Sequence, residues 1–146
     1  MIMPSVAFAL LAASPGFTPQ ALWDAWPDRR FVATPAPCLR HGELVERLRA
    51  LEERHRGRLS LEEVGRSVQG RAIHLATLGS GPRRVLLWSQ MHGDEPSATP
   101  ALLDLAHWLL THRGDPDAAA ILDRLTLLLV PMLNPYGAEA YTRRNA

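Results

Sequence analysis

Apolar and polar positions alternate along this chain with two clear periods. In "HGELVERLRALEERHRGR" Leu44, Leu48 and Leu51 recur every three or four residues with Val45 beside them, which predicts an amphipathic helix. Glu43 and Arg47 form an i,i+4 pair on its polar side, and Gly57 offers a stop. "LSLEEVGRS" and "AIHLATLGSG" read as two strands, and "VQG" between them supplies the turn of an antiparallel hairpin. His74 alternates with apolar neighbours in the second strand and reads as a structural side chain. "RRVLLWSQM" is a nearly continuous apolar run, of the kind that suits a central strand covered on both faces. "PSATPALLDLAHWLLTHRGD" follows with a helical stripe through Ala98, Ala101, Leu102, Leu105 and Leu109, and Gly114 beyond it. "PDAAAILDRL" predicts a second short helix and "LTLLLVPML" another buried strand.

Strand, helix, strand is a βαβ order, which places a parallel pair in the sheet. The expected class is α/β, with a mixed, mainly parallel central sheet and helices on both faces. Upstream, "TPQALWDAWPD" fits one short helix, with Thr18 as cap and Pro19 at its first position. Trp23 and Trp26 would share a face of it and pack on the domain, and "ATPAPC" reads as an extended linker. Residues 1–37 are thus expected to be an N-terminal extension and residues 38–146 the folded portion.

Composition narrows the picture. The 146 residues fit one ordinary domain, and 47% hydrophobic content is enough for a core. A net charge of +1 points to neither nucleic acid nor an anionic membrane as partner. Cys38 stands alone, which excludes an intrachain disulfide framework. The apolar stretch from Val6 to Ala13, followed by small residues, has the look of a secretory signal. It lacks the basic n-region and is too short to span a bilayer, so a cytoplasmic location is expected over a secreted or periplasmic one.

The candidate chemistry sits where strands end. His92 and Glu95 lie just beyond the run ending at Met91, at the sheet edge where open α/β sheets gather ligands. An imidazole and a carboxylate are standard zinc ligands, and zinc hydrolases often use two His and one Glu with water in the remaining position. Gly93 between them lets the backbone bend sharply. A third ligand is expected. His107 lies about 18 Å along the following helix from Glu95, at about 1.5 Å per residue. Neither it nor His112 can complete the site. The second informative stretch, "VPMLNPYGAEAYTRRNA", follows the other buried strand. "NPYG" is turn chemistry, and Arg143 and Arg144 then stand near the same sheet edge. An arginine there could stabilise an oxyanion or grip a carboxylate.

Taken in order, "VGRSVQGRAIHLATLG", "HGDEPSAT" and "PMLNPYGAEAYTRRNA" resemble the hairpin, the His-x-x-Glu zinc motif and the Arg-bearing segment of the zinc carboxypeptidases, the carboxypeptidase A-like family. The likeness runs from about Leu39 to Ala146. It implies a zinc-peptidase-like fold, Zn2+ as cofactor and a peptide or amide as substrate. It implies His92 and Glu95 as the first two zinc ligands and Arg143, ahead of Arg144, as the electrophilic arginine. It implies hydrolysis of a C-terminal peptide bond by zinc-activated water. Two departures stand out. The family's turn carries Asp where this chain has Tyr136, and the family's third ligand and general-base Glu have no counterpart here. The chain is therefore expected to correspond to the N-terminal portion of the catalytic domain, unlikely to be active alone and with a sheet edge left open.

Other readings stay open at this level. A zinc amidohydrolase of the aspartoacylase or desuccinylase type uses a similar His-Gly-x-Glu turn. A peptidoglycan amidase is a third, and a fragment without catalysis is the non-enzyme alternative.

Overall fold

A computed structural model describes residues 19–29 and 38–145. The stretch from Val6 to Ala13, the Thr18 cap and most of the expected linker lie outside the described residues. The elements run α1 (Pro19–Arg29), α2 (His41–Arg54), β1 (Leu59–Arg66), β2 (Ala72–Leu78), β3 (Arg83–Trp88), α3 (Ala98–Thr111), α4 (Pro116–Arg124), β4 (Leu125–Val130) and α5 (Pro135–Ala140).

Local chemistry explains most boundaries. Glu43 reaches back to accept from the Arg40 backbone N–H at 2.8 Å, a cap at the start of α2. The β1–β2 turn closes through Ser67 N–H to Arg71 O, 2.8 Å, and Gly70 takes φ 76°. Asp115 caps α4 by accepting from Asp117 N–H at 2.8 Å, with Pro116 at the first position. "NPYG", expected as a turn, instead opens the short helix α5: Asn134 Oδ1 accepts from Gly137 N–H at 2.9 Å. Asn followed by Pro signals a turn and a helix start equally well, because both need a side-chain acceptor and a fixed φ.

The sheet order is β1-β2-β4-β3. The expected parallel pair is present, Arg83 to Trp88 against Leu125 to Val130 in register. The other two ladders are antiparallel, so "mainly parallel" does not hold for these four strands. Leu44, Leu48 and Leu51 of α2, Leu103 and Leu109 of α3 and Leu122 of α4 gather with Leu78, Leu127 and Leu129 in one core. Each fully buried leucine contributes roughly 2 kcal/mol of transfer free energy. Among the described residues this core covers one face of the sheet only. On the other face Leu86 and Trp88 are 50% and 53% exposed. β3 is therefore an edge strand with one bare face, not a central strand between two helical layers. An apolar run encodes readiness for burial, while the neighbour and the cover must come from elsewhere.

Two further expectations shift. The buried stripe of α3 runs through Thr99, Leu103, Ala106 and Leu110, while Ala98 and Ala101 face solvent. A helix this rich in leucine offers several stripes, and the tertiary contacts choose among them. Trp23 is 74% exposed, so α1 does not pack through it.

Burial lowers the pKa of His55, His74 and His107, and nearby cations add to the effect: Arg54 and Arg58 at His55, His41 and Arg49 at His74, Arg54 at His107. The unfolded chain then takes up these protons first as pH falls. Stability from these groups is complete above their ordinary value of about 6.5 and declines below it. The melting temperature is expected to be lower at pH 5.5 than at pH 7.5, and His74→Gln should flatten that difference. Equal melting temperatures at the two pH values would contradict the assignment.

Candidate metal centre

The site is built where β3 and β4 run out side by side. Past the ladder the two segments stay joined: Ser89 N–H to Val130 O at 3.0 Å, Leu133 N–H to Ser89 O at 3.0 Å and Asn134 N–H to Gln90 O at 3.1 Å. Each strand then enters a turn and a helix, so two turns meet at one sheet edge. Gly93 N–H donates to Thr142 O at 3.0 Å, and Asn134 Nδ2 donates to Arg144 O at 3.1 Å. The segment bearing His92 and Glu95 is thereby stitched to the segment bearing Arg143.

The three residues singled out from sequence come together. His92 Nδ1 lies 3.0 Å from Glu95 Oε2. Arg143 donates from Nη1 to Glu95 Oε1 at 2.5 Å and from Nη2 to His92 Nδ1 at 2.7 Å. An Nδ1 that accepts from a guanidinium carries a lone pair, so the ring proton is on Nε2. His92 Nδ1 and the Glu95 carboxylate, through Oε1, then both accept from one cation, Arg143. The hydrogen bond from Arg143 lowers the Glu95 pKa, and Glu95 in turn raises that of Arg143. The arrangement favours the ionised form of Glu95 and leaves the lone pair of His92 Nδ1 pointing at a cation, as metal binding requires.

Asp94 was not singled out from sequence. Its Oδ1 is buried and lies 3.6 Å from Arg143 Nη1, so it adds a second negative charge beside the guanidinium. Its place between the two candidate ligands was the signal available. Arg144 is exposed and offers its backbone carbonyl to Asn134. Tyr136 stands half-buried in the first turn of α5. His112 Nδ1 lies 2.8 Å from Thr111 Oγ1 at the far end of α3. Among the described residues no group of three or more His, Cys, Asp or Glu converges as a metal site.

The sequence matches the zinc carboxypeptidase family profile over residues 44–146. The chain belongs to the zinc carboxypeptidase family. It is 28% identical over 101 residues to carboxypeptidase M of Mus musculus, covering 64% of this chain and 23% of that protein. It superposes on a metallo-carboxypeptidase from Burkholderia cenocepacia with a TM-score of 0.66 and 28% identity, covering 73% of this chain and 30% of that one. A metallo-carboxypeptidase from Pseudomonas aeruginosa is 32% identical, with a TM-score of 0.55 over 68% of this chain and 28% of that one. This zinc carboxypeptidase chain thus spans less than a third of the length of these relatives. Zn2+ is the cofactor that the family implies. The donor set fits it: two donor atoms on one tetrahedral zinc lie about 3.3 Å apart, against the 3.0 Å observed.

Proposed function

We propose that this chain contributes one part of a metallocarboxypeptidase centre, in which His92 Nδ1 and Glu95 hold zinc and Arg143 binds the oxygen of the scissile amide. The observation that carries the reading is the convergence of His92 Nδ1 and the Glu95 carboxylate on the Arg143 guanidinium, with Nδ1 3.0 Å from the second carboxylate oxygen, Oε2. Bound zinc supplies Lewis acidity that activates water and polarises an amide carbonyl. The protein's part is to present a carboxylate and an imidazole Nδ1 lone pair at the end of a rigid strand. Arg143 uses the same donors that now reach His92 and Glu95 to bind a substrate oxygen, with the Asp94 carboxylate 3.6 Å from its Nη1. Such donors count most when they face charge that develops during reaction. A catalytic zinc takes three protein ligands, and the described residues supply two. The substrate class is a peptide or related amide with a free C-terminus. The amidohydrolase alternatives gain no support from the relatives, which are carboxypeptidases.

Zinc titration by calorimetry tests the reading. The chain is expected to bind Zn2+, and His92→Ala is expected to abolish that binding. Arg143→Ala should bind zinc no more weakly than the parent, because its guanidinium competes for both donors. Binding that survives His92→Ala would rule the site out.

A further inference from the structure

Behind the turn lies a polar network that the proposed chemistry does not use. Ser89 Oγ donates to Pro131 O at 2.6 Å and lies 2.9 Å from Thr99 Oγ1. Thr99 Oγ1 lies 2.8 Å from Gln90 Oε1 and 2.7 Å from Pro131 O. Gln90 Nε2 donates to Gly93 O at 3.0 Å. Gly93 O can only accept, so it faces the amide NH2, and the amide oxygen is left for the Thr99 hydroxyl. Ser89, Gln90 and Thr99 are 5%, 4% and 0% exposed. Polar side chains buried beside a leucine core are destabilising unless paired, and here each one is. Gln90 also holds φ 50°, a left-handed conformation that glutamine rarely adopts. Strained backbone and a closed polar cluster meet at Gln90, two residues before His92.

We infer that Gln90 is a positioning residue for the metal turn, held in turn by Thr99. Its amide grips the carbonyl of Gly93, the residue after His92. Its other end is fastened through the Thr99 hydroxyl to the first turn of α3, just past Glu95. The network thus clamps the turn from both sides of the ligand pair and keeps Nδ1 and Oε2 converged. Gln90 acts only through the backbone of that turn. The inference rests on the zinc reading above.

Gln90→Gly is the discriminating variant. Glycine takes φ 50° without strain, so the backbone is relieved while the amide clamp is removed. A purely structural role would leave metal affinity unchanged. Thr99→Val removes the hydroxyl at nearly constant volume, and Thr99→Ser returns it. Zn2+ is added to the 146-residue chain and followed by the NMR signals of the His92 ring, with His92→Ala to assign them. Gln90→Gly and Thr99→Val are expected to weaken Zn2+ binding about tenfold or more, as loss of groups that orient metal ligands does. Thr99→Ser is expected to bind like the parent, and the Gly93 amide should exchange faster in Gln90→Gly. Unchanged affinity in Gln90→Gly and Thr99→Val, with parent binding intact, overturns the inference and leaves the zinc reading standing. If the parent shows no His92-dependent response to Zn2+, both fall. Should Gln90→Gly fail to fold, the Thr99→Val and Thr99→Ser pair decides alone.

Discussion

Gly93→Ala is expected to unseat the turn that carries His92 and Glu95 and to destabilise the chain by ~3 kcal/mol or more. A Cβ at this position would lie 1.8 Å from Gly137 C, 2.0 Å from Gly137 O and 2.3 Å from Ala138 N. All three atoms are backbone of α5, so no side-chain rotation can make room. Moving α5 away would break Gly93 N–H to Thr142 O, 3.0 Å, and disturb Thr142 N–H to Gly137 O, 2.9 Å. It would also pull Arg143 from Glu95. The melting temperature should fall on the order of 10 °C, with loss of whatever zinc binding the parent shows. A Gly93→Ala chain that melts with the parent would mean that the two turns are not packed backbone to backbone. The reading from sequence assigned Gly93 to a sharp bend. Its φ is not among the positive values, and what the position demands is space.

The second large effect is on association. β3 pairs with β4 on one side, and among the described residues no strand pairs with its other side. Leu86 and Trp88 project from its bare face, 50% and 53% exposed, with Met91 and Leu133 exposed close beyond the strand end. The opposite edge is defended: β1 carries Glu62, Glu63 and Arg66 and a register shift between Glu63 and Gly65, features that discourage a further strand. β3 has only Arg83 and Arg84, both at its start. The isolated chain is therefore expected to self-associate with rising concentration, seen by sizing with light scattering. Leu86→Lys with Trp88→Lys should shift it to monomer with unchanged circular dichroism. Exposed substitutions of this kind usually alter stability by no more than about 0.5 kcal/mol. A parent chain that stays monomeric and melts cooperatively at high concentration would refute this.

Much of the fold was legible because periodicity reports local burial. α2 buries Leu44, Leu48 and Leu51 as its spacing required, and the β1–β2 hairpin and the parallel β3–β4 pair formed where patterns of two and continuous apolar runs placed them. That His92, Glu95 and Arg143 would lie at one sheet edge was legible because each follows such a run or the turn after it. Harder to read were features that depend on what lies across a gap. The α3 stripe through Thr99 is one, since a threonine among leucines gives no sign that it will be fully buried. Asp94 is another, since its charge matters only once Arg143 is beside it.

The amino-acid sequence by itself determined the elements, their order and the identity of the candidate donors, because helix and strand periods, caps and turn residues act over a few neighbouring positions. Tertiary structure alone decided that His92 Nδ1 and the Glu95 carboxylate face a single cation, that Gly93 needs emptiness more than bending, and that the Gln90 side chain meets a threonine on the next helix. Those facts arise from groups separated along the chain by as many as 51 residues, as Arg143 is from His92. Only the packing of two turns at one sheet edge brings them within hydrogen-bonding reach.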